Sequence, residues 1–195
     1  MLNDIKSGLR PALMLTLLFA LLLGLAYPAL ITGVGQLIFP WQANGSVVRD
    51  THGRVIGSAI IGQQFASPAY FHGRPSAAGK GYDPLASGGS NYGPAARPLA
   101  DRLRADISTN RTSPDETAPP ADLVTASASG LDPDISPEAA LYQTTRVAAA
   151  RHMDLATVRA LVDRHVQRPL LGFIGEPRVN VLALNRALDA AAPRS

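Results

Sequence analysis

Between Arg10 and Arg49 the chain carries no charged residue, and Ala12 to Ile31 reads ALMLTLLFALLLGLAYPALI. At about 1.5 Å of helical rise per residue, those positions reach roughly 30 Å, the thickness of a bilayer's hydrocarbon core. Lys6 and Arg10 precede the run, with Asp4 the single acid beside them. Basic flanks stay in the cytoplasm, so the N-terminus is expected inside and everything after about residue 33 outside. The expected organisation is a cytoplasmic N-terminus (1–11), a transmembrane helix (12–32), an interfacial linker (33–45) and an extracytoplasmic domain (46–195).

A cleaved leader is the competing reading. Lys6 and Arg10 form its basic region, Ala12 to Leu23 its apolar region, and Gly24 and Ala26 the small residues before the cut. Cleavage there leaves Tyr27-Pro28 at the new terminus, with apolar residues still running to Ile31. The anchor accounts for that continuation better.

The chain has no cysteine among its 195 residues, which excludes disulfides, thiolate metal sites and a lipid-modified cysteine. An exported domain of this kind must rest on its apolar core or on a partner. After Ser46 there are 16 Lys plus Arg against 14 Asp plus Glu. The arginines stand singly, without aromatic interleaving, which argues against nucleic-acid binding.

Phe39 and Trp41 suit either the headgroup interface or a plain linker with its aromatics packed on the domain, and Pro40 ends the helix. Ser46–Val48 and Arg54–Ile61 flank Asp50-Thr51-His52-Gly53, the pattern of a hairpin, with Gly57 and Gly62 marking bulges or close contacts. Residues 71–96 have no helical or strand period; a loop this long is functional or disordered, and Tyr70, Tyr82 and Tyr92 supply apolar area to hold it down. Pro98 opens a helix with Leu99, Leu103 and Ile107 on one face. A Pro/Thr-rich surface loop, the expected protease site, spans 108–121, and Leu123–Ala126 is a strand candidate. Ser136, Asp154 and Asn180 cap three further helices. The first buries Ala140, Val147 and Ala148; the second has Leu155, Val158, Leu161, Val162 and His165 on one face; the third turns Val181, Leu184 and Leu188 inward. The fold class is α+β: one membrane helix, then a small domain of short strands and about four helices.

A search for chemistry finds no site. The four histidines show no metal-ligand spacing. His165 lies on an apolar helical face, and His72, in the long loop, is the one worth testing as a catalytic group. Asp132, Asp134 and Glu138 suggest either a calcium or magnesium site or ordinary capping and turn formation. Asp83, Asp132, Asp134 and Glu176 are the acids available to attract cations. Ser87-Gly88-Gly89-Ser90 is the most distinctive string; it is no P-loop, because no Gly-Lys-Ser/Thr follows, and a turn-rich loop docking on another protein explains it. In the membrane segment, Ala20 and Gly24 form either a small-xxx-small pair suited to helix packing or incidental small residues on a lipid-facing helix. No catalytic, cofactor or metal residue is assigned.

The strings GLRPAL, FPWQANGSV, GSAIIGQ, YFHGRPSA, ASGGSN, VTASASGLDPDISPEAA, RVAAAR and GEPRVNVLALNRAL, in that order, resemble the C-subunit family of the Kdp potassium-transporting P-type ATPases over nearly the full chain. The resemblance implies a non-catalytic, single-pass subunit of the inner membrane with a periplasmic domain. It acts in assembly and coupling of high-affinity potassium uptake. Its implied partners are a channel-like subunit, a P-type subunit that uses ATP and magnesium, and a small single-span peptide. The family is described as a catalytic chaperone raising the ATP affinity of the hydrolysing subunit. That description makes Ser87, Gly88, Gly89 and Ser90 nucleotide candidates, although Asn91 stands where the invoked signature has glutamine. The charge argument puts this loop outside, away from cytoplasmic ATP, so an effect on nucleotide affinity is expected through coupling. The alternatives are a membrane-tethered ligand-binding or sensor module and a periplasmic hydrolase using His72.

Overall fold

The computed structural model describes residues 2–79, 81–111 and 118–191. Helix α1 (Leu2–Leu21) runs through one π turn (Leu22–Ala26) directly into α2 (Tyr27–Ile38). The π turn has a local cause. Pro28 offers no N–H to the Gly24 carbonyl and its ring crowds that carbonyl, so the hydrogen-bond ladder loosens just ahead of it. Lys6–Ile38, 33 residues, is long and apolar enough to cross a membrane, and none of it is buried within the chain. The helix continues past residue 32, through Gly33–Ile38, where a linker was expected. Nothing breaks it until Phe39, the residue before Pro40, which leaves the helical region at φ −130°, ψ 55°.

After one further turn, α3 (Pro40–Ala43), the chain reverses. Asn44 donates to the Pro40 carbonyl at 2.6 Å and the Trp41 indole donates to the Val47 carbonyl at 3.2 Å. The expected hairpin follows, as β1 (Val47–Arg49) and β2 (Val55–Ser58), antiparallel with an irregular register between Val48 and Arg49. Asp50 builds its turn by accepting from the His52 and Arg54 N–H groups at 2.8 and 2.9 Å. Gly62 is a true close approach: a Cβ there would run into the Asp132 backbone carbonyl.

Among the described residues of 59–96 there is no helix and no strand, and one bridge, Ser76 to Ser127. Gly130 lets that bridge close, with φ +65° and Ser76 Oγ where its Cβ would be. Helix α4 (Arg97–Asn110) has Pro98 in its first turn; Leu99, Leu103 and Ile107 are half-buried. The centre of the Pro/Thr-rich loop, 112–117, lies outside the described residues.

Leu123–Ala126 is not a strand. Ala121–Leu123 is a 3-10 turn, closed by Leu123 N–H to Pro120 O and followed by Thr125 N–H to Ala121 O. Asp122 fixes it by accepting from both the N–H and the hydroxyl of Ser136. Two strands form elsewhere, β3 (Asp134–Ile135) and β4 (Val166–Gln167), on either side of β5 (Arg178–Asn180) in an antiparallel sheet ordered β3-β5-β4.

The three capped helices stand as the sequence indicates: α5 (Pro137–Arg151), α6 (Leu155–His165) and α7 (Val181–Ala191). Ser136 accepts from Ala139 N–H, Asp154 from Thr157 N–H and Asn180 from Ala183 N–H. The helices pack on β5 and on one another. Val147, Val158, Val162, Val179, Leu184 and Leu188 meet in one core, completed from the long loop by Phe71. Helices α5, α6 and α7 and the short strands build that core, while α4 buries no residue; among the described residues this is the α+β class the sequence indicates.

Candidate functional site

The sheet edge and the 3-10 turn border a cleft of about 690 Å³. Asp122, Asp132, Asp134, Glu138 and Glu176 line it, with Arg74 and Arg178 as the cations. Arg74 Nη1 meets Asp132 at 2.8 Å, and Arg178 Nε meets Asp134 at 3.1 Å. Asn180 also donates to Asp134 at 3.0 Å. The structure therefore brings Asp132, Asp134, Glu138 and Glu176 together and places Asp83 elsewhere, in the turn where it accepts from Leu85 N–H. Asp132 and Asp134 are engaged by guanidinium groups rather than converging on a vacant centre. Among the described residues, no three of His, Cys, Asp or Glu are placed to hold a metal ion.

His72 lines a second, smaller cavity with Arg74, Tyr82 and Asp106. Its Nε2 faces the Ser67 carbonyl at 2.9 Å, which makes that nitrogen a donor and withdraws it from acid–base work. Burial pulls its pKa below the ordinary value; the nearby Arg146 charge acts in the same sense, and the Ser67 carbonyl opposes. Burial pushes Tyr82 up, aided by Asp132, and raises Asp106 against the pull of Arg102. His165 bonds the Leu161 carbonyl through Nδ1, as a packed helical histidine does.

The string Ser87-Gly88-Gly89-Ser90 lies on the surface, held by one bond from Gly88 N–H to Ala128 O. None of its four residues lines the acidic cleft or the His72 cavity. Ala20 and Gly24 lie exposed on the long helix; Gly24 sits within the π turn, and a Cβ there would meet nothing within 4 Å.

Three features have no counterpart in the sequence reading. One is the pairing of Arg74 and Arg178 with the cleft acids, 58 residues apart in the first case. The second is a set of side-chain clamps on residues 68–72. Asn185 exchanges two hydrogen bonds with the Phe71 backbone, Gln143 two with His72, and Arg146 donates to the Pro68 and Tyr70 carbonyls. The third is the apolar tip of the β4–β5 connection, where Leu170, Leu171, Phe173 and Ile174 are 68, 75, 76 and 51% exposed. Its only sequence signal is an apolar string between Pro169 and Gly175.

Set against known proteins, residues 9–190 match the family model of the K+-transporting ATPase c chain, KdpC. The chain belongs to the KdpC family. It is 62% identical over 187 residues to the potassium-transporting ATPase KdpC subunit of Caulobacter vibrioides, covering 96% of this chain and 95% of that one. The KdpC subunit of Gemmatimonas aurantiaca is 55% identical, with 96% and 94% covered. That of Nitratidesulfovibrio vulgaris is 56% identical, with 94% of each covered. KdpC membership takes in the apolar helix and the folded domain as one unit, and with them the acidic cleft and the surface glycine string.

Proposed function

We propose that this chain is the non-catalytic accessory subunit of an ATP-driven potassium-uptake complex. The observation that carries the reading is the family match over 9–190, which joins the long helix and the domain. In this reading the helix anchors the chain once in the inner membrane, and Lys6 and Arg10 hold its start in the cytoplasm. The domain then stands on the extracytoplasmic side, against a channel-like subunit. The P-type subunit uses the ATP and magnesium, and a small single-span peptide completes the assembly.

The helix enters the complex through the face bearing Ala20 and Gly24, whose small side chains permit close backbone approach. The surface string Ser87–Ser90 docks on protein rather than on nucleotide. Its one backbone bond and open exposure support that reading, and so does a topology that leaves it on the far side from cytoplasmic ATP. Any effect on nucleotide affinity is then a coupling between transport states, reciprocal by thermodynamic necessity.

Affinity purification of the tagged full-length chain from membranes of potassium-starved cells tests the proposal. The expected result is co-purification of a large channel-like protein and a P-type ATPase. A chain that purifies alone contradicts it and favours the tethered sensor.

A further inference from the structure

We propose that the β4–β5 tip, Leu170–Ile174, enters the lipid surface as a second membrane contact beside the anchor helix. The inference rests on the reading of 6–38 as embedded in a bilayer.

Four of the five N–H groups from Leu170 to Ile174 are paired within the tip. The N–H groups of Leu170 and Ile174 each donate to the other's carbonyl, at 3.1 and 3.0 Å. Gly172 N–H donates to Pro169 O and Phe173 N–H to Leu170 O. N–H groups paired in this way lose little on entering the headgroup layer. From Pro169 to Gly175 no side chain bears a polar atom, so the tip offers a protein partner nothing to fix its register. A lipid surface asks only for apolar area. Arg168, exposed at the base, suits a lipid phosphate, while Glu176 on the other flank turns to the acidic cleft.

Position agrees with this use. Gln167 and Arg178, the last paired residues before the tip, line one cavity with Ile60. The neighbouring Ala59 donates to the Ser46 carbonyl at 3.0 Å, where the chain has just left the long helix. Exposed Phe39, Trp41, Ile60 and Ile61 lie along this connection. The strand that leaves the tip, β5, is tied to this connection by Asn180, whose Nδ2 donates to the Ala59 carbonyl at 2.9 Å.

The chain has no native cysteine, so single labels can be placed cleanly. Phe173→Cys, Leu23→Cys and Leu85→Cys, each carrying a bimane fluorophore, are compared in the full-length chain, reconstituted in phosphatidylcholine–phosphatidylglycerol vesicles. Leu85 is 96% exposed, a reference for an apolar position off the tip. Shallow doxyl-labelled lipid should quench position 173 at least twofold more than position 85, with iodide ineffective at 173 and 23. Iodide quenching at 173 with 23 protected overturns the tip contact alone. Iodide quenching at 23 overturns the anchor beneath it. Equal lipid quenching at 85 and 173, or none at 173, also overturns the tip contact. If the same label becomes shielded from lipid in the assembled complex, a protein partner covers the tip, which refutes the lipid assignment.

Discussion

Asn185, on α7, holds the backbone of Phe71 through two hydrogen bonds: Phe71 N–H donates to Oδ1 at 2.8 Å, and Nδ2 donates to the Phe71 carbonyl at 3.0 Å. The pair is separated by 114 residues and both members are buried, with Phe71 fully so. A side-chain amide here replaces the neighbouring strand that residues 68–72 lack. Phe71 can therefore enter the core from a segment with no regular structure.

Asn185→Ala leaves a buried N–H and a buried carbonyl without partners. At about 1–3 kcal/mol for each orphaned group, the domain should lose roughly 2–6 kcal/mol. Thermal melts followed by circular dichroism on the full-length chain read this as a drop of roughly 5–15 °C. A melting temperature within a degree of the parent would mean that the amide does not hold the loop.

His72 makes stability depend on pH. Its folded-state pKa lies below the ordinary 6.5, chiefly because burial disfavours the imidazolium. The unfolded chain then binds the proton first, so the histidine's contribution is complete above about pH 6.5 and is lost as pH falls toward the folded value. Melts between pH 7.5 and 5 should show this decline, and His72→Gln should flatten it. Parallel curves for the two proteins would contradict the assignment.

Gly62→Ala should be costly, because the position is buried. The added methyl meets the Asp132 carbonyl, backbone that cannot swing aside, while Gly62 N–H is already bonded to Leu131 O at 2.8 Å. Overpacking of this kind costs about 1–3 kcal/mol. Denaturation of the variant measures the loss, and faster hydrogen exchange at Gly62 would locate it.

Trp41 is the single tryptophan, so its emission reports the membrane exit directly. An interfacial position predicts a blue-shifted maximum in vesicles and quenching by shallow lipid probes. Emission at the wavelength of free tryptophan, quenched by iodide, would place α3 away from the bilayer.

Gly24→Leu should weaken assembly by filling the face on which the anchor approaches its neighbours. The readout is the yield of co-purified subunits. An intact complex at parental yield would move the contact to another face.

Short-range signals were legible. Ser136, Asp154 and Asn180 each bond an N–H three residues on, and the Asp50 turn closes over four residues, so local chemistry suffices to read them. The strands were not: β3 and β4 are two residues each, too short for any alternation to register. Leu123–Ala126 looks β-like by composition, but the Asp122–Ser136 bonds decide for a turn there. Phe71 gave no hint of burial beside His72 and Gly73. Its partner lies in the last helix, and a pairing across that distance leaves no period in the sequence. The acidic cleft was half legible: Asp132, Asp134 and Glu138 lie close together in the chain, while Arg74 arrives through the fold.

The central claim, an accessory subunit that a potassium-transporting ATPase requires, is tested most directly by potassium-stimulated ATP hydrolysis in membranes with the chain deleted and then restored. The predicted result is loss of the stimulated activity on deletion and its recovery with the full-length chain. Undiminished potassium-stimulated hydrolysis in the deletion would contradict the account.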